Sequence, residues 1–98
     1  MFTRQQCIEK LIASAPYIRK VYGVKALCLF GSVARGDNGN NSDIDVLVEM
    51  PPHMNLLAGL KAFLEDRLGG SVDLIRRHDH LSPFFLAQIE KDGIYVIQ

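Results

Sequence analysis

The sequence predicts an α/β (α+β) fold, a small mixed β-sheet with helices packed on one face. Three observations predict it. Apolar residues recur at helical spacing in three segments, and four short apolar runs bounded by turn-forming residues read as strands. Their order is helix, strand, strand, helix, strand, helix, strand, which suits helices layered on a sheet better than a bundle or a sandwich.

The elements follow in chain order. Thr3 and Gln6 form a capping-box pattern, and Cys7, Ile8, Leu11, Ile12 and Ala15 recur at helical spacing, so a first helix starts near Arg4. Pro16 is expected to interrupt it, with Ser14 and Pro16 opening a second helical piece through Val21. Gly23 supplies a stop. Val24 to Phe30 is short and largely apolar and reads as a buried strand ending at Gly31. The stretch Gly36 to Asn41 (GDNGNN) is a turn-rich loop, expected to be flexible and without chemistry. Ile44 to Val48 is the second strand, closed by Pro51-Pro52. Asn55 caps a helix whose inner face carries Leu56, Leu57, Leu60, Phe63, Leu64 and Leu68, and Gly69-Gly70 ends it. Val72 to Ile75 is a third strand. Ser82-Pro83 opens a helix bearing Phe85, Leu86 and Ile89, which stops at Gly93, and Ile94 to Ile97 is a short last strand.

Composition bounds the function. The chain has 98 residues, enough for one domain spanning 1–98. Its 11 basic and 11 acidic side chains cancel, which argues against unaided grip on nucleic acid or an anionic membrane. No apolar run approaches the roughly 20 residues of a membrane span, and MFTRQQ has no secretory pattern. Cys7 and Cys28 stand in apolar company without C-x-x-C spacing, as expected of buried thiols in a reducing, cytoplasmic setting.

Chemistry concentrates between Leu29 and Val48, LFGSVARGDNGNNSDIDVLV. The first strand ends in Gly31-Ser32, ten residues follow, and Asp43-Ile44-Asp45 opens the second strand. Residues i and i+2 of a strand share a face, so Asp43 and Asp45 project together while Ile44, Val46 and Val48 face the core. Two adjacent carboxylates repel unless a cation lies between them or one is protonated. A divalent metal answers this, and carboxylate oxygens suit Mg²⁺. Asp73 sits in an otherwise apolar strand, where an ionised group is costly without a partner. If its strand lies beside Asp43 and Asp45, three carboxylates share one site, the ligand set of two-metal nucleotidyl transfer. Gly31 lets backbone approach a phosphate, and the Ser32 hydroxyl with the following N–H groups can hold its oxygens.

Other motifs fail on the same letters. Gly31 and Gly36 are spaced like a Walker A loop, but Asp37-Asn38 replaces the required Lys-Ser/Thr. No calcium-loop glycine follows Asp43-Ile44-Asp45, and there is no G-x-S-x-G elbow. His78-Asp79-His80 reads as a polar loop in preference to a metal site. Arg76-Arg77 is either a solvated strand end or a group that holds phosphates or a partner. Phe84, beside the inward-facing Phe85, is expected to be exposed and suited to a hydrophobic contact.

GS, ten residues, then DID and an apolar run resembles the nucleotidyltransferase superfamily of the DNA polymerase β type. The fuller GSVARG…SDIDVLV is similar to its minimal nucleotidyltransferases (MNT), and the resemblance covers nearly the whole chain. It implies a polymerase β-like fold, with Asp43 and Asp45 holding Mg²⁺, Asp73 completing the triad, and Gly31 and Ser32 binding the nucleotide triphosphate. Arg35 also matches the string. A nucleotide contact, a partner contact and a structural ion pair stand level for it. Relatives of this size are commonly antitoxins of HEPN-domain toxins, the MntA-type members of HEPN–MNT toxin–antitoxin systems, and some transfer AMP from ATP to a toxin tyrosine. The expected activity is therefore Mg²⁺-dependent AMP transfer to a cognate HEPN toxin, with pyrophosphate released and an oligomer formed with that toxin. The alternatives are an antitoxin that neutralises by binding alone, and nucleotidyl transfer to a small molecule. The short chain favours an acceptor carried by a partner.

Overall fold

A computed structural model describes residues 3–39 and 41–98 of the chain. Asn40 of the predicted loop and Met1-Phe2 of the N-terminal stretch lie outside the described residues. The elements are α1 (Arg4–Tyr22), β1 (Ala26–Phe30), α2 (Gly31–Arg35), β2 (Ile44–Glu49), α3 (Met54–Leu68), β3 (Val72–Arg76), α4 (Pro83–Asp92) and β4 (Ile94–Ile97). The four strands form one mixed sheet in the order β3-β2-β1-β4. The β1–β2 and β1–β4 pairs are antiparallel, whereas β2 and β3 are parallel and joined by the crossover through α3.

α1 begins as its sequence predicts. The Thr3 hydroxyl accepts from the Gln6 N–H at 3.1 Å, and the Gln6 side chain accepts from the Thr3 N–H at 3.0 Å. It does not break at Pro16, which lies inside one continuous helix. An internal proline costs about 3 kcal/mol, while burying one Leu or Ile side chain returns about 1.5–3 kcal/mol. Leu11 and Ile18, both fully buried on either side of Pro16, offset that cost. The bond that Pro16 removes would have ended on the Ile12 carbonyl. Ile12 is 57% exposed, so water can take the place of the missing donor.

Further boundaries differ from expectation, and β1 starts at Ala26, two residues after Val24. α3 starts two residues early, at Met54, with His53 as its N-cap and no side-chain cap, so Asn55 is not the cap. α2, a single turn between β1 and the loop, was absent from the predicted order. The α4 cap stands as expected: the Ser82 hydroxyl accepts from the Phe84 and Phe85 N–H groups.

The mixed α+β sheet with helices is the fold observed, with one correction to the placement of helices on one face. Leu27, Leu29, Ile44, Val46, Val48 and Val72 pack with Cys7, Leu11 and Ile18 of α1 and Leu60, Leu64 and Leu68 of α3. Their strand neighbours Cys28 and Leu47 point the other way and pack with Ile89 of α4, flanked by Phe30, Ile75, Leu81 and Phe85. Strand alternation therefore puts α4 over the opposite face. Isolated, α4 carries the same apolar signal whichever face it covers, which is why its sequence could not assign the side. No described helix is long and apolar enough to cross a membrane.

Candidate active site

The site is built where β1 turns into α2. Gly31 has φ +74°, the left-handed region that a side chain disfavours, and it lets the chain turn within one residue of the strand end. Gly36, at φ +81°, closes α2, and its N–H donates to the Ser32 and Val33 carbonyls. The Ser32 hydroxyl has no hydrogen-bond partner among the described residues and is half-buried.

The sheet register then places the carboxylates. Phe30 is paired with Asp45 across β1–β2, so Gly31 abuts Asp45, and a Cβ added at Gly31 would collide with the Asp45 carboxylate. Ile44 and Val46 are fully buried on the α1–α3 side, which turns Asp45 to the other face. Across the parallel ladder the partner of Asp45 is Asp73. Adjacent strands lie about 4.8 Å apart, so these two carboxylates leave the sheet as neighbours. Asp43 precedes Asp45 by two residues at the mouth of the strand. The loop before it is pinned by the Gly39 N–H, which donates to the Ser42 hydroxyl at 2.8 Å.

Asp45 is half-buried, and Asp43 and Asp73 are exposed. Burial pushes the Asp45 carboxyl above its ordinary range. The Asp73 and Asp43 charges push in the same direction, and Arg35 pulls the other way. Asp43 and Asp73 thus both act on Asp45 electrostatically, although no three His, Cys, Asp or Glu groups form a ready metal cage among the described residues. The donor set fits a hard divalent cation: it is all carboxylate oxygen, and its half-buried member is destabilised by two like charges that such an ion would offset.

Arg35 is used structurally. It pairs with Asp37 at 3.1 Å and with Asp92 at the end of α4 at 3.6 Å, tying α2 to the following loop and to the far face. Asp37 therefore has a role that the loop reading did not give it. The His78–His80 stretch is a local turn in which the His80 N–H donates to His78 Nδ1 at 3.1 Å.

Sequence reasoning missed the aromatic wall of the site. Phe30, the register partner of Asp45, meets Phe85 of α4 edge-on with ring centroids 5.8 Å apart. Only the β1–β2 register could have found it, and that register depends on a long connection through α2.

The chain is similar to known proteins over nearly its whole length. The nucleotidyltransferase domain family model matches residues 13–96. A protein of Methanocaldococcus jannaschii, provisionally named a protein adenylyltransferase, is 35% identical over 98 residues, covering 98% of this chain and all of that one. A solved structure described as a provisional minimal nucleotidyltransferase superposes with TM-score 0.70 at 32% identity, covering 89% of this chain and 93% of that one. A chain in the solved complex of a tri-AMPylated Shewanella oneidensis HEPN toxin with MNT antitoxin superposes with TM-score 0.64. It is 21% identical, with 96% of this chain and 71% of that one covered, a likeness of fold.

Proposed function

This chain belongs to the nucleotidyltransferase domain family, and on that footing we propose that residues 1–98 act as one minimal domain. It transfers AMP from ATP to a tyrosine hydroxyl of a HEPN-type toxin, as a cytoplasmic antitoxin bound to that toxin. The observation that carries this reading is the register pairing of Asp45 with Asp73, with Gly31 packed directly against Asp45. One cleft edge then offers both a backbone approach for phosphate and a row of carboxylates.

Asp43, Asp45 and Asp73 would hold Mg²⁺, which supplies neutralisation of the triphosphate charge and acidifies an incoming hydroxyl. The chain's own residues do the remaining work. The Gly31-Ser32 backbone and the Ser32 hydroxyl hold phosphate oxygens, and no Cβ at position 31 keeps them away. Arg35, anchored by Asp37 and Asp92, adds positive charge on the same side as Asp45. Asp73 is exposed beside the site and takes the proton of the attacking hydroxyl. The tyrosine oxygen forms a bond to the α-phosphorus while the bond to the bridging oxygen breaks, and pyrophosphate leaves with that electron pair. Phe30, the register partner of Asp45, meets Phe85 edge-on beside the site.

The relative solved with an AMPylated toxin supports the choice of acceptor class. The test is to incubate the protein with α-labelled ATP, Mg²⁺ and the HEPN protein with which it co-purifies. Label should appear on the toxin and be lost in the Asp43→Asn/Asp45→Asn double variant. Toxin neutralised without label overturns the catalytic part and leaves binding alone as its mode of action.

A further inference from the structure

The carboxylate site uses one end of β2 and β3, and a cleft opens at the other. It has a volume of about 390 Å³ and forms where the start of β1 meets the ends of β2 and β3. The Lys25 N–H donates to the Glu49 carbonyl at 2.8 Å, and the Arg77 N–H donates to the Val48 carbonyl at 2.7 Å, so three strand ends are tied together there. From Asp45 to Glu49 the strand advances about 13 Å at 3.3 Å per residue, which separates this cleft from the carboxylates.

Its walls are of two kinds. Lys25, Arg76 and Arg77 bring three basic side chains, against the acids Glu49 and Asp79. Neither acid pairs with any of the three cations, because every ion pair among the described residues belongs to Arg35. The Arg76 side chain is held by its Nε donating to the Met50 carbonyl at 3.0 Å. That bond orients the guanidinium and leaves its terminal nitrogens uncommitted. His78 also lines the cleft, and because its Nδ1 accepts from the His80 N–H, the neutral ring carries its proton on Nε2 as a donor. Pro51 and Pro52 add apolar surface to the lining, while Met50 is buried in the core and contributes its carbonyl.

We propose that this cleft is a second ligand site, distinct from the carboxylate site, which takes a phosphate-bearing small molecule. The phosphate lies on Lys25, Arg76 and Arg77, and the apolar part of the ligand lies on Pro51 and Pro52. Guanidinium forks match the spacing of phosphate oxygens, and an oriented fork loses less freedom on binding than a mobile one. The volume lies within the roughly 300–1,000 Å³ of small-molecule sites. Binding here needs no divalent ion, since the cleft supplies its own positive charge.

Titration of the full chain with phenyl phosphate and with inorganic phosphate, without divalent ions and at constant ionic strength, tests this by two-dimensional amide NMR. Saturable shifts are expected at Lys25, Arg77 and His78 and not at Gly31–Arg35. Phenyl phosphate should bind several-fold more tightly than phosphate. The Lys25→Ala/Arg77→Ala variant alters two exposed side chains, keeps the dispersed spectrum of the fold, and should lose at least tenfold in affinity. Shifts confined to Gly31–Arg35, equal binding by the double variant, or the same response to chloride would each overturn the site. Equal binding of the two phosphates would overturn the apolar wall. AMP transfer is read separately, so this result stands or falls apart from the catalytic reading.

Discussion

Gly31 and Asp45 meet so closely that the methyl group of an alanine at position 31 would occupy the place of the Asp45 carboxylate. Gly31 also has φ +74°, so an alanine would be strained as well as misplaced. Gly36 is the internal control: its φ is +81°, but nothing lies within 4 Å of where its Cβ would be. Both substitutions incur the left-handed cost of about 1–2 kcal/mol. Gly31→Ala should in addition displace Asp45 and abolish AMP transfer, whereas Gly36→Ala should lower Tm modestly and keep activity. Thermal melts and transfer assays on the two variants separate these effects.

Asp45→Asn should trade activity for stability. Burial and the Asp73 and Asp43 charges raise the Asp45 pKa in the folded state. For a raised pKa the group's favourable contribution is complete below the unfolded pKa and is lost as pH rises through the folded value. At neutral pH the ionised Asp45 therefore destabilises the fold, and the neutral asparagine removes that burden. Melting curves should show Asp45→Asn with a higher Tm than the parent at pH 7. The gap should close as pH falls below the ordinary carboxylate range.

Asp73→Asn separates proton acceptance from triphosphate binding. Loss of a positioned general base typically costs about 10²–10⁴-fold in rate. Asp73 is exposed, so the fold should be unaffected. Steady-state kinetics should show kcat falling by about that factor, with KM for ATP changed far less. An equal rise in KM would assign Asp73 to binding instead.

Ile89→Ala tests the packing of α4 on the second face. Ile89 is 2% exposed and shares its cluster with Cys28 and Leu47. Truncating a buried isoleucine costs about 2–5 kcal/mol. Denaturant unfolding should register that loss, and the Phe30–Phe85 contact should loosen with it.

Cys28 should be inert in the native protein. Burial pushes its thiol up to about 11, opposed in part by a hydrogen bond to the Ile94 backbone. Thiolate is the reactive form, so alkylation at pH 8 should be slow when folded and fast in denaturant. Mass spectrometry of timed iodoacetamide reactions measures both rates.

The local signals in this chain proved to be strong ones. The Thr3–Gln6 box, the Ser82-Pro83 cap, the largely aliphatic strand from Ile44, and the Gly31-Ser32 turn each depend on neighbours a few residues away. The same locality misled at Pro16, where the penalty is local but the compensating burial of Leu11 and Ile18 is tertiary. It misled at Asn55 too, because a capping residue is favoured at a helix start but does not dictate which residue starts it.

By itself the sequence determined which residues are acidic and that Asp45 leaves the second strand opposite Ile44 and Val46, since side-chain alternation is a property of one extended segment. Tertiary structure decided that Asp73 stands beside Asp45, that Gly31 abuts the carboxylate, that α4 covers the second face, and that Arg35 reaches Asp92. Each of these joins segments far apart in the chain. Strand order and register follow from how two sheet faces are buried at once, and that choice belongs to the whole core and to no single element.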